Sequence, residues 1–266
     1  MLVFVGLGLY SENDMSLRGI EEAKTADCVF AEFYTSLMAG LSLERLEKMV
    51  GKKIVVVSRK TLEDENGELI LRKAESSKVA FLVPGDPLIA TTHVDLRIRA
   101  EKRGITTRVV HGASIVSAAM GLSGLQNYRF GKSVTIPFPE EGLVSETPYN
   151  VIAENKARDL HTLCFLDIKA EKRLYMTIKE ALEILLSLEE KKKMHVVTLD
   201  SLAVGIARAG AEDQVVKADI VRALLSFVFG GPPHVLVFPA DRLHFVEAEA
   251  LIRLAGAPEH VNKMVG

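Results

Sequence analysis

Short apolar runs alternate with helix-patterned stretches along the first half of this chain. "LVFVGL", "CVFAEF", "KIVVVS", "KVAFLV" and "TTRVVH" have the texture of buried strands, rich in β-branched residues and low in alternation. Segments of helical period lie between them, which predicts a mostly parallel sheet with helices on its faces. In "LSLERLEKMV", Leu43, Leu46 and Met49 recur at three-residue steps and mark an amphipathic helix. Ser16 is placed to cap "LRGIEEA", and Gly104 to stop the helix that "TTHVDL" begins. The alternation returns in the second half. "HTLCFLDI", "HVVTL", "LAVGIARAG" and "PHVLVFP" read as strands, and "TIKEALEILLSLEEKKK" as a helix. A Thr177–Glu180 capping box opens that helix, and Lys191 to Lys193 suit its C-terminal end. "VTIPFPEEGLVSETPYN", with three prolines and acidic turn residues, reads as a long loop after a short connection near "HGASIVSAAMG". Two consecutive α/β domains, 1–112 and 113–266, are the economical reading.

Composition changes this picture little. A hydrophobic content of 48% and a charged content of 26% are those of a globular domain. The formal net charge of -2 supplies no basic face, so nucleic acid is not an expected partner. No apolar run reaches membrane-spanning length and nothing resembles a signal peptide, so the cytoplasm is the expected compartment and no membrane partner is expected. Cys28 and Cys164 sit singly in apolar runs and read as buried free thiols. No spacing of histidines or cysteines suits a metal, so none is expected.

Four stretches could carry chemistry. In "GLGLYS", Gly6 and Gly8 permit a tight turn close to a ligand, and Glu32 stands where an acidic ribose contact would. Yet Ser11 takes the place of the third glycine of a dinucleotide fingerprint, and the helix starts late. "FLVPGDPLIATTH" runs from a buried strand into Pro84-Gly85-Asp86-Pro87, at the strand end where open α/β sheets bind ligands. Asp86 is there either a ligand carboxylate or a helix cap. In "HGASIVSAAMGLSG", Ala113, Ser114, Ala118 and Ala119 leave room for a ligand or for a neighbouring helix. Arg208 of "ARAG" is either a solvated charge or an anion contact. Among the histidines, His93 reads as a helix-start residue, while "GGPPHVLVFP" delivers His234 rigidly to a strand. A sheet edge shaped for a ligand, with no Gly-x-Ser-x-Gly elbow, phosphate loop or Cys/His cluster, suits a transferase whose cosubstrate is already activated.

Two of these blocks, "VGLGLYSENDMSLRGIEEAKTADCVFAEFYTS" and "PGDPLIATTH", resemble the tetrapyrrole-methylase fold group, the third structural class of S-adenosylmethionine methyltransferases. Within it, "EFYTSLMAG", "PGDPLIATTHVDLRIRA", "HGASIVSAA", "DLHTLCFLDIKAEKRLYMT", "ARAG" and "PPHVLVFPADRLHFVEAEAL" resemble the diphthine synthase family in its archaeal form. The resemblance runs from Leu2 to about Pro258. It implies two α/β domains with a cofactor cleft between them, holding folded S-adenosylmethionine and releasing S-adenosylhomocysteine. Carried over motif by motif, the cofactor contacts fall on Leu9, Asp86, Ile89, Ser114, Ile115, Leu166, Ala207 and His234. Ile89 and Leu166 are apolar wall positions, and Ile206 is the alternative to Ala207. The implied reaction takes the amino group of a 3-amino-3-carboxypropyl-modified histidine of translation elongation factor 2 to the trimethyl state, in diphthamide biosynthesis. A homodimer is implied too. The resemblance assigns no catalytic residue. Tyr34, Thr35 and Ser36 are candidates for contacts to the acceptor, or else turn residues. A small-molecule methylase of the precorrin type shares the fold and cofactor and is the alternative. A nicotinamide oxidoreductase and a non-enzymatic binding module are further rivals.

Overall fold

The computed structural model describes residues 1–266 and divides into two compact units, Met1–Ile115 with Lys169–Arg173, and Val116–Ile168 with Leu174–Gly266. In the first unit, strands β1 (Leu2–Gly6), β2 (Cys28–Ala31), β3 (Ile54–Val56), β4 (Val79–Val83) and β5 (Thr107–Val110) form one sheet. Its order is β3-β2-β4-β1-β5, and every pairing is parallel. Helices α1 (Leu17–Thr25), α2 (Leu43–Val50), α3 (Arg59–Leu62), α4 (Glu68–Ser76) and α5 (His93–Lys102) connect the strands.

The low alternation of the strands has a plain cause: both faces of the sheet are covered. Val3, Val5, Ala80 and Leu82 pack with Ala23 of α1 and Leu46 and Val50 of α2. Leu2, Phe4, Val79 and Phe81 pack on the other face with Ile70 and Leu71 of α4 and Leu96 of α5. The buried seam of α2 differs from the expected one. Leu46 and Val50, one turn apart, are buried, whereas Leu43 is 38% exposed. Ser16 caps α1 by accepting from Gly19 N, and Gly104 takes a left-handed φ of 71° just past α5.

The second unit is built differently. It holds most of α6 (Ile115–Ser123), then β6 (Val134–Ile136), α7 (Thr147–Lys156), β7 (Thr162–Leu166) and, apart from Lys169, the short hairpin strands β8 (Ile168–Lys169) and β9 (Leu174–Tyr175). After these come α8 (Ile178–Lys192), β10 (Leu202–Ala207), β11 (Val215–Ile220), α9 (Val221–Leu224), β12 (His234–Phe238) and α10 (Phe245–Ala255). The sheet order is β11-β10-β12-β7-β6, antiparallel except for the β6–β7 pair.

Three sequence expectations are corrected here. The stretch expected to be one long loop contains β6 and the start of α7, where Pro148 occupies the first helical turn, a position that tolerates its missing N–H. "HVVTL" is not a strand. The N–H groups of His195, Val196 and Val197 donate to the Glu189 carboxylate of α8 at 2.7, 2.8 and 3.0 Å, leaving no donors for a sheet neighbour. Cys28 is only half-buried, while Cys164 is fully buried and burial pushes its thiol pKa up. The Thr177–Glu180 capping box forms as expected. No helix is long and apolar enough to cross a membrane.

Candidate functional site

Three strands of the first sheet deliver glycines to one place at its carboxyl edge. A Cβ on Gly6, the last residue of β1, would lie 2.5 Å from Gly112 N and 2.6 Å from Gly85 O. Gly85 N donates to Gly8 O at 2.7 Å, and Gly8 N to Gly85 O at 3.2 Å, which locks the β1 and β4 loops together. Gly8 (φ 86°) and Gly85 (φ 68°) are both in the left-handed region that glycine enters without strain. This interlock explains the two opening glycines without a dinucleotide. Ser11, in the third position, caps a 3-10 turn at Glu12–Asp14, and Asp14 accepts from Tyr10 N at 2.6 Å and Ser11 N at 3.1 Å. No long helix N-terminus meets the loop, because α1 starts only at Leu17.

Asp86 follows this interlock and is 6% exposed. It does not cap a helix, since α5 begins at His93. Its Oδ1 accepts from Leu88 N at 3.0 Å, closing a tight local turn. Its Oδ2 lies 2.7 Å from Nδ1 of His111, the residue after β5. His111 was missed in the sequence because it stands alone, with no partner at a short spacing. The usable signal was its place, between a strand end and Gly112. Leu9 continues the β1 loop, and Ile89, beyond Asp86, is 46% exposed. Ser114 and Ile115 are half-buried at the start of α6.

Glu32 is no ribose ligand. It is fully buried, with Oε2 accepting from Tyr34 N at 2.9 Å and Thr35 N at 3.0 Å. Its Oε1 accepts from the Thr35 hydroxyl and lies 3.3 Å from His93 Nε2. These bonds spend the carboxylate on holding the 32–35 turn. Thr35 is therefore a turn residue. Tyr34 is buried beneath the Arg59 guanidinium, 5.0 Å from its ring centre, and its hydroxyl makes no hydrogen bond. Ser36 is half-buried in the same loop.

In the second unit, the sheet register brings three candidate residues into one row. Ala207 pairs with His234, and Val235 pairs with Phe165, so the next position of β7, Leu166, falls opposite His234. Leu166 is 7% exposed and Ala207 fully buried, both within the core that α8 covers. Both His234 nitrogens are engaged: Nδ1 accepts from Ile178 N at 3.3 Å and Nε2 donates to Gly231 O at 3.0 Å. Burial pushes its pKa below the usual imidazole range, outweighing the backbone carbonyls that favour the charged form. Arg208 is not a solvated charge; the anion it meets is the Asp213 carboxylate of its own loop. Its guanidinium donates to Phe229 O at 2.8 Å, Gly231 O at 2.7 Å and Asp213, and so fixes the loop that leads into His234.

Residues 1–224 match the model of the tetrapyrrole (corrin/porphyrin) methylases. A diphthine synthase of Methanosarcina barkeri is 53% identical, with 97% of each chain covered. That of Methanococcoides burtonii is 54% identical, with 98% of each covered. A crystal structure of diphthine synthase superposes with a TM-score of 0.91 at 44% identity, covering 99% of both chains. With the family matched over most of the chain and relatives this similar over nearly all of it, the chain is a methyltransferase, a member of the diphthine synthase branch of the tetrapyrrole methylase family.

Proposed function

We propose that this enzyme uses S-adenosylmethionine to methylate the amino group of a 3-amino-3-carboxypropyl-modified histidine of elongation factor 2, to the trimethyl state. The observation that carries the reading is the nearly full-length relationship to proteins named diphthine synthase. The residues at the first sheet edge suit the cofactor. Gly85 leaves open space, since a Cβ there would meet nothing closer than Ala113 O at 3.9 Å. Asp86 uses one acceptor position on each oxygen and keeps capacity for a cationic amino group. Ile89 stands exposed beside them, an apolar contact for the adenosine. Leu9, Ser114 and Ile115 are the other proposed contacts in this part of the chain, and Leu166, Ala207 and His234 are those proposed in the second unit.

When bound, S-adenosylmethionine supplies a methyl group on a sulfonium that is its own leaving group. What remains for the protein is to align the amine with that methyl and to free the amine of its proton. Asp86→Ala is expected to weaken cofactor affinity by roughly one to two decades, the loss of a charged hydrogen-bond partner worth about 1.5–3 kcal/mol. Calorimetry on a folded variant with unchanged affinity would remove Asp86 from the site.

A protein acceptor supplies remote binding energy that orients its amine, which a free amino acid lacks. Methyl transfer from labelled cofactor should therefore occur on elongation factor 2 carrying the modified histidine, and fail on unmodified factor and on the free modified histidine. Equal turnover on the free amino acid would overturn the protein-acceptor reading. Turnover on a precorrin instead would support the small-molecule alternative.

A further inference from the structure

An ammonium has no lone pair, so an amine carried to the trimethyl state must lose a proton before each of three methyl transfers. A group that takes those protons needs a basic atom open to the acceptor and a fixed orientation. The Asp86–His111 pair has that form. The buried Asp86 carboxylate is pinned by Leu88 N on one oxygen and meets His111 Nδ1 at 2.7 Å on the other. The His111 side chain is 74% exposed, and this is the one polar contact its ring makes, so Nε2 is unengaged. A proton on Nδ1 directed at the carboxylate leaves the lone pair on Nε2, and the carboxylate stabilises the charge that develops when Nε2 is protonated. The ionisable group nearest to His111 in the chain is committed elsewhere, Arg108 to Glu22 at 2.5 Å.

We propose that His111 is the base that takes the acceptor amine's proton before each methyl transfer, with Asp86 orienting its ring. The proposal rests on the amine-methylation reading above. In each round an N–H bond of the ammonium breaks, its electron pair stays on nitrogen, and the proton binds His111 Nε2. The freed lone pair then forms the new N–C bond while the carbon–sulfur pair returns to sulfur. The imidazolium passes its proton to water before the next round. Three protons leave for three methyl groups gained, and the trimethylammonium has none left to lose.

His111→Asn separates this role from a positioning one, because its amide can still donate to Asp86 but carries no basic nitrogen. H111N is expected to bind S-adenosylmethionine within about threefold of the wild type by calorimetry, and to lose about a hundredfold in single-turnover methylation at pH 7. The defect should shrink at high pH, where solvent takes the proton, and added imidazole should raise the rate of His111→Ala. An unimpaired H111N at pH 7 overturns the proposal. So does a defect that persists at high pH with no imidazole rescue. Joint loss of cofactor affinity and rate would make His111 part of the cofactor site and likewise overturn it. A wild-type enzyme that binds the cofactor but does not methylate the modified factor would instead bring down the functional reading itself.

Discussion

Glu247→Ala is expected to cost about 3–5 kcal/mol of stability and to lower Tm by on the order of 10 °C, because it leaves the buried His161 Nε2–H and the N–H groups of Gln126 and His244 without their acceptor and takes one of its two carboxylates from Arg129. Glu247 is fully buried near the start of α10. Its Oε1 accepts from Gln126 N and His161 Nε2, both at 2.9 Å. Its Oε2 accepts from Arg129 at 2.6 Å and His244 N at 2.9 Å. His161, also fully buried, accepts from Ala240 N through Nδ1, so its Nε2 proton is directed at Glu247. Burial opposes the charge on Glu247, but the bonds from Gln126, His244 and His161 outweigh it and hold the carboxyl below its usual range. Burial pushes the His161 imidazole pKa down. Both groups therefore bind protons more readily unfolded than folded, and stability rises with pH through their windows. Wild-type Tm should begin to fall below about pH 6.5 and fall faster below about pH 4.5, and the second step should be smaller in Glu247→Ala. Glu249→Ala, an exposed change on the same helix, should stay within about 0.5 kcal/mol of wild type. Equal thermal melts for the two variants would show that the network contributes nothing beyond a surface charge.

Gly112→Ala should weaken cofactor binding by on the order of a hundredfold, although it adds a single methyl group. That carbon would overlap the Gly85 carbonyl oxygen and come within 2.9 Å of Gly6 Cα. All of these neighbours are backbone, so no side chain can swing aside. The conflict must move either the β1 end or the loop that carries Asp86, at a cost of about 1–3 kcal/mol in stability. A displacement of about 1 Å in a positioned site loses on the order of a hundredfold, so the loss of binding should be read on a variant that is still folded. Gly121 in α6 is the control. A Cβ there meets nothing within 4 Å, and Gly121→Ala should be neutral or stabilising by up to about 1 kcal/mol. Calorimetry showing intact binding in Gly112→Ala would mean that the three loops are free to separate, and that the interlock does not build the site.

The sequence by itself determined the elements whose causes lie within a few residues of one another. The buried runs of the first sheet, the Ser16 cap, the Thr177–Glu180 box and the Gly104 stop were legible because periodicity and caps are local. The tight turn after β4 was legible for the same reason. What only the tertiary structure decided is which polar group meets which. Asp86 and His111 are 25 residues apart, and nothing in either neighbourhood names the other. Glu32 had the position of a ligand contact, but the 32–35 turn and His93 claimed its carboxylate. "HVVTL" had the composition of a strand, but Glu189 took its donors. The second sheet had the alternation of an α/β unit, yet its strands run mostly antiparallel. Burial leaves a polar group needing a partner without saying where that partner comes from, and long-range packing alone brings the donor and acceptor together.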